Sequence, residues 1–295
     1  MCDGHKMLEY ILVTPVKNEE EFLPRVSESI IAQSEKPLLW IIVDDGSADG
    51  TPQIIHELEN QYNWITSIRL PPHPRDITFH YSYVCKKGFD QVLEQSKTNL
   101  TQYSYIGLID ADTILEENYF EKLEKEFNNN SRLGIASGNI TDMPNKEINW
   151  SEIQKEGPDK PLPRGSGRLW RKECFFEIGG YLVEPSPDSI SNVKAKLRGW
   201  EIRRFGHIHA IQLRNTSSAE GLWKGNKING TMAHYLNKHP ILVVLNFFDF
   251  LTKKPYYPAF AYALGYIKCV YSRSPKISDP EIRDYYWNDR IKEYL

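Results

Sequence analysis

Two carboxylates one residue apart, Asp110 and Asp112, end the apolar run Tyr105-Ile106-Gly107-Leu108-Ile109. A run this apolar, bounded by polar residues, suits a strand covered on both faces. Ligands of open α/β sheets gather beyond the carboxyl ends of such strands. Side chains two apart on a strand share a face, so the pair can converge on one hard cation, Mg2+ or Mn2+, which can in turn hold a diphosphate. The bland alternative is turn and capping chemistry, with Asp112 or Thr113 capping a following helix. A second acidic end is Asp44-Asp45, after the apolar run Leu38 to Val43. Desolvated carboxylates are costly without a donor or a cation; a nucleobase imide N–H is one such donor, and a helix N-cap is the simpler use. Asp188 stands ahead of a helix expected over Ser189 to Arg198 and is a good N-cap for it. In Phe205-Gly206-His207-Ile208-His209, two histidines share one strand face, a pattern that usually serves structure.

The elements that must position these residues follow from periodicity. Glu9 to Thr14 reads as a first strand and Pro15 to Glu20 as the loop leaving its carboxyl end. Leu23, Val26 and Ile30 recur at helical spacing, with Pro24 in the first turn. The second strand, Leu38 to Val43, feeds a helix from Pro52 to about Tyr62 with Ile54, Ile55 and Leu58 inward. Strands that end in polar loops and feed helices make the βαβ pattern of a mostly parallel sheet. Pro71, Pro72 and Pro74 break the chain before a helix from Tyr83. Beyond the acidic pair come a helix over Asn118 to Asn129, a strand over Leu133 to Gly138 and a polar loop from Met143 to Pro163, followed by the glycine-rich Gly165-Ser166-Gly167. Glycines permit a ligand to approach the backbone closely. Arg168 and Arg171 are expected to share a face of the next strand, where either can meet phosphate or carboxylate.

The 295 residues, 40% hydrophobic and 25% charged, exclude a disordered chain. A net charge of -3 argues against a partner held by phosphate neutralisation, so no nucleic acid is expected. The four cysteines, Cys2, Cys85, Cys174 and Cys269, form no C-x-x-C pair and suit reduced thiols. Met1 to Lys6 is short and polar, so no secretion signal is expected. The expected location is the cytoplasm.

Three stretches together, Thr14-Pro15-Val16-Lys17-Asn18-Glu19, Val43 to Thr51 and Ile109-Asp110-Ala111-Asp112, resemble the successive signatures of the family 2 glycosyltransferases. The resemblance implies a GT-A type, Rossmann-like α/β fold and an inverting, metal-dependent transfer from a nucleotide sugar in polysaccharide or glycolipid synthesis. It implies that Thr14, Pro15 and Glu19 line the nucleotide pocket, that Asp44 meets the base with Ser47 nearby, and that Asp110 and Ala111 face the nucleotide ribose or metal. Asp112 becomes the metal ligand on the donor diphosphate, with Mn2+ or Mg2+ as cofactor. Lys86 or Lys87, Lys87 preferred, sits where a donor-pocket residue is usual. Gly165, Ser166, Gly167 and Arg171 fall beside the donor sugar and acceptor, and Asp188 becomes the general base. Pro187 stands where the family usually has Glu. His209, ahead of His207, is nearest the place of a third metal ligand. A UDP-sugar is the favoured donor, with GDP- and dTDP-sugars as alternatives, and the acceptor is a glycan. Two rival readings are a nucleotidyltransferase and a degenerate sugar-nucleotide-binding protein. The first calls for a glycine-rich phosphate loop after the first strand, and Thr14 to Glu20 contains no glycine.

The C-terminal part reads differently. Ile241 to Leu251 is almost wholly apolar, with Leu242, Asn246, Asp249 and Lys253 on one helical stripe, and Tyr257 to Tyr271 carries only Lys268 as a charge. Neither reaches the roughly 20 apolar residues needed to span a bilayer. They suit either core helices or helices lying in the headgroup region, flanked by Lys253, Lys254, Arg273 and Lys276. In the second case the enzyme is peripheral on the inner face of the membrane and its acceptor is carried on a lipid. The expected division is a catalytic domain over 1–230, with a nucleotide-sugar half to about 115 and an acceptor half beyond, and a helical appendage over 231–295.

Overall fold

The computed structural model describes residues 9–74, 79–97, 102–143, 148, 150–153, 157–214 and 221–293. The chain forms two compact units, Met1–Leu213 and Arg214–Leu295.

The first unit is built on one eight-stranded sheet. Its elements in order are β1 (Tyr10–Val16), α1 (Leu23–Ile31), β2 (Leu39–Asp44), α2 (Thr51–Gln61), β3 (Ile65–Arg69), α3 (Phe79–Lys97), β4 (Tyr105–Leu108), β5 (Thr113–Leu115), α4 (Tyr119–Asn129), β6 (Leu133–Asp142), α5 (Trp150–Ile153), β7 (Arg168–Arg171), α6 (Lys172–Glu177), α7 (Pro187–Leu197) and β8 (Glu201–Gln212). The strand order is β3-β2-β1-β4-β7-β6-β8-β5. The four strands from the first part of the chain are parallel throughout. Beyond β4 the sheet is mixed, because β7 enters antiparallel between β4 and β6 and β5 closes antiparallel on β8. The expected α/β class holds; the strands of residues 10–108 are all parallel to one another, and β6 and β8 add a second parallel pair.

Strand periodicity divides the core in two. Tyr10, Leu12, Trp40 and Ile42 pack on one face with α1, α2 and α4. Ile11, Val13, Ile41 and Val43 pack on the other with α3 and α6. Both faces are covered, which is why these strands read as unbroken apolar runs.

The second unit holds α8 (Leu222–Tyr235), α9 (Pro240–Leu251), α10 (Tyr257–Tyr271) and α11 (Pro280–Asp284). Gly230 and Gly265 let α8 and α10 touch backbone to backbone: a Cβ on Gly230 would strike the Tyr262 carbonyl and one on Gly265 the Lys227 carbonyl. That packing holds α8 with α10 in the second unit. Among the described residues no helix is long and apolar enough to cross a membrane.

Candidate active site

The carboxyl ends of β1 and β2 form one hydrogen-bonded block. Val16 pairs with Asp44 in the parallel register, and Asp44 with Arg69 of β3. Asp44 is buried; its Oδ1 accepts from the Ser47 N–H at 2.8 Å and its Oδ2 lies 3.2 Å from Arg69 Nη1. Arg69 also donates to the Ser47 carbonyl. Asp45 lies between Lys17 and His80, at 2.8 and 2.7 Å. The cost of burying these acids is therefore offset within the protein. Asn18, in the left-handed region at φ 54°, donates its N–H to Ser47 Oγ and accepts from Ala48 through its side chain. Buried Glu19 donates its N–H to Thr51 Oγ1. Thr14 is fully buried and its hydroxyl accepts from the Trp40 indole at 2.8 Å, so its side chain ties β1 to β2; Pro15 is half-buried. Lys17, Arg69 and His80 were not among the expected residues; Arg69 follows from the parallel register at Asp44.

The acidic pair does not sit on a strand. β4 stops at Leu108, and Asp110, Ala111 and Asp112 form a turn closed by the Thr113 N–H on the Asp110 carbonyl at 3.1 Å. The chain then enters β5, not a helix, which removes the capping alternative. Ala111 packs into the core and anchors the turn. Asp112 is buried, and its carbonyl accepts the Leu213 N–H. Asp110 accepts from the Tyr81 hydroxyl at 2.7 Å. Burial and the neighbouring Asp110 raise Tyr81 well above the ordinary phenol range, so this hydroxyl stays a donor. Two hard carboxylates on one turn suit Mg2+ or Mn2+, whose remaining positions a diphosphate and water can fill.

Residues far along the chain join this turn. Ser166 Oγ accepts the Asp110 N–H at 2.8 Å and donates to Thr113 Oγ1 at 2.8 Å. A Cβ on its neighbour Gly165 would lie 2.9 Å from Asp188 Oδ2, so the Asp188 carboxylate rests against a bare backbone. Gly167, at φ 63°, offers its carbonyl to the Tyr119 hydroxyl. The Gly165-Ser166-Gly167 segment thus brings the acidic turn and Asp188 into one site.

Asp188 is not the cap of α7. Ser186, at φ 59°, takes that place and Pro187 the first helical position, where a missing N–H costs nothing. Asp188 lies in the first turn, where the helix dipole favours a negative charge. Arg168 is fully buried, with Nε on the Arg164 carbonyl at 2.6 Å and its guanidinium 5.1 Å from the Trp170 ring. Burial lowers its pKa, against the opposing pull of Asp188 and, more weakly, Tyr181, Tyr81 and Asp110.

Other expected residues fall elsewhere. Arg168 and Arg171 are three apart, an odd interval that puts them on opposite faces of β7. Arg171 donates to the carbonyls of Phe127, Asn130 and Leu133 and so clamps the end of α4. Lys87 lies over the Tyr83 ring, one helical turn away. His209 is buried opposite Glu116, whose carboxylate accepts its N–H at 2.8 Å, while Asp112 is opposite Leu213. A register shift in the β6–β8 pairing separates Phe205 from His209, and His207 faces Glu126 at 3.3 Å. Among the described residues no group of three or more His, Cys, Asp or Glu is set to hold a metal.

The sequence and the fold match known proteins. The model of Glycosyl transferase family 2 matches residues 11–183. The Minor teichoic acid biosynthesis protein GgaA of Bacillus subtilis (strain 168) is 27% identical over 135 residues, 43% of this chain and 26% of that protein. The Poly-beta-1,6-N-acetyl-D-glucosamine synthase of Staphylococcus aureus (strain COL) is 20% identical over 224 residues, 70% of this chain and 50% of that protein. The chain spans between a quarter and half the length of these relatives. Among solved structures, S. aureus TarS 1-349 superposes with a TM-score of 0.53 at 11% identity, over 97% of this chain and 77% of that one. The mannosyltransferase PcManGT of Pyrobaculum calidifontis, in complex with GDP-Man and Mn2+, gives 0.56 at 14% identity, over 94% and 78%. With the family match running from β1 past the Gly165–Gly167 segment, and with this sheet and these neighbours, the chain belongs to the family 2 glycosyltransferases and has their GT-A fold.

Proposed function

We propose that this protein transfers a sugar from a nucleotide diphosphate sugar to an acceptor hydroxyl, with inversion, in the synthesis of a polysaccharide, a teichoic acid or a glycolipid. The observation that carries the reading is the meeting of the Asp110–Asp112 turn with Asp188 through Gly165 and Ser166. Asp188 takes the proton of the attacking hydroxyl as general base. Asp110 and Asp112 would hold Mn2+ or Mg2+, and Tyr81 and Ser166 fix the position of Asp110. When bound, the cation offsets the charge that develops on the leaving diphosphate. The block formed by Asp44, Ser47, Asn18 and Glu19 receives the nucleoside, with Asp44 and the adjoining backbone groups facing the base. A UDP-sugar is the preferred donor: TarS has been crystallised with UDP and with UDP-GlcNAc, and a GDP-sugar is the alternative set by PcManGT. The acceptor is a glycan, and the protein works on the cytoplasmic side of the membrane.

The test is thermal shift of the purified protein with UDP, GDP and dTDP, each with and without Mn2+, followed by sugar transfer with the nucleotide that binds. A ligand that binds only the native state raises the melting temperature by mass action. A metal-dependent rise with one nucleotide, then release of that nucleoside diphosphate in the presence of acceptor, is expected. Nucleotide binding without turnover on any sugar nucleotide would return the chain to a binding role.

A further inference from the structure

The second unit leaves one of its helices apolar on both faces. On α9 the side chains facing inward are Leu242, Val243, Phe250, whose ring lies 5.4 Å from that of Tyr262, and the polar Asn246, which donates to the Tyr262 hydroxyl at 3.2 Å. Facing outward are Ile241, Val244, Leu245 and Phe248, the last 58% exposed. On α10 the inward face is Ala259, Tyr262, Gly265 and Cys269. Phe260, Leu264, Ile267 and Tyr271, at intervals of four, three and four, make an outward stripe in which Ile267 is 61% and Tyr271 92% exposed. The Phe247 ring lies 5.6 Å from Phe248 and 5.7 Å from Phe260 and joins the two helices into one apolar face. Large apolar side chains gathered this way mark a docking surface.

Charge identifies the occupant. From Leu222 to Lys276 the chain carries Lys224, Lys227, Lys253, Lys254, Lys268, Arg273 and Lys276, with Lys238 packed over the Tyr286 ring instead, against a single acid, Asp249, and Asp249 is itself bound to Lys253 at 2.6 Å. A second copy docked symmetrically would set this positive patch against itself, since a two-fold interface pairs the same surface. An anionic lipid surface complements both features. Apolar side chains enter the acyl boundary, Tyr256, Tyr257 and Tyr271 lie at headgroup level, and the lysines meet the phosphates. Helices of 12 and 15 residues are too short to cross the bilayer and suit a position in its plane. We infer that the outward face of α9 and α10 is an interfacial anchor that seats this protein on an anionic bilayer. The inference does not depend on the transfer reading, because its test requires no nucleotide.

The experiment is flotation of the full chain with phosphatidylcholine vesicles, with and without phosphatidylglycerol. Wild-type protein should float with the anionic vesicles, and added salt should reduce the bound fraction without abolishing it. The Phe248→Gln, Ile267→Gln variant changes only exposed positions. It should keep its melting curve and bind at least tenfold less. The Lys253→Gln, Lys254→Gln, Arg273→Gln variant should lose the preference for phosphatidylglycerol. Wild-type protein that stays with neither vesicle overturns the inference. So does a wild-type dimer in solution that the Phe248→Gln, Ile267→Gln change dissolves while lipid binding is absent.

Discussion

Gly165 leaves room for the carboxylate of Asp188: a methyl group at residue 165 would stand 2.9 Å from Asp188 Oδ2. Residue 165 is not at a positive φ, so alanine costs little in backbone conformation. Gly165→Ala therefore moves one carboxylate and little else. A misplacement of about 1 Å costs on the order of 10²-fold in rate when a group must meet a reacting atom. Transfer by this variant should fall by roughly 10- to 100-fold while nucleotide affinity holds. An unchanged rate would mean that the carboxylate takes no part in the reaction.

Asp188→Asn asks the complementary question, keeping shape and removing the proton acceptor. Because Ser186 holds the cap position and Asp188 only the first turn, the loss to the helix is the dipole interaction, about 0.3–1 kcal/mol. Transfer should drop by about 10²-fold or more, with a near-normal melting curve. Kinetics at saturating donor give the answer, and a rate close to wild type would leave Asp188 with structure alone.

Asp112→Asn removes a charged oxygen from the turn while nearly keeping its volume. The turn is built from backbone and from Ala111 in the core, so the fold should survive. Nucleoside diphosphate binding should lose its dependence on Mn2+ in calorimetric titration, and transfer should collapse. Metal-dependent turnover at the wild-type rate would move the metal away from Asp112.

Asp110, Asp112 and Asp188 stand out in the sequence by type and by place at an element's end, and the structure sets Ser166 on Asp110 and Gly165 against Asp188. Asp110 and Asp112 do not share the expected strand face, since period-two alternation needs a strand and the chain turns after Leu108. Tyr81, Arg168 and Arg69 were not legible as partners. They come from α3, β7 and β3, and only the assembled sheet sets Tyr81 on Asp110 or Arg69 on Asp44. Arg168 and Arg171 do not share the expected face because their interval of three is odd, and the register that sets His209 opposite Glu116 depends on which strand closes the sheet. At the C-terminus, amphipathicity was visible but its sense was not: Asn246 points inward and Phe248 outward.

The last prediction concerns Lys238, which follows α8 and lies 5.8 Å from the Tyr286 ring. Burial, with Arg290 as a smaller contribution, pushes its ammonium down to about 8 from 10.5. Between those values the unfolded chain binds more protons than the folded one, so stability rises with pH across that window. Below about pH 8 the folded protein carries the full cost of the buried charge. At about 1.4 kcal/mol per unit the ceiling is about 3 kcal/mol. Lys238→Met removes this cost. In urea unfolding the variant should gain on wild type at pH 7, and most of that gain should be gone by about pH 10, where folded wild type is already neutral. A difference that stays flat across this range would place the Lys238 ammonium in solvent.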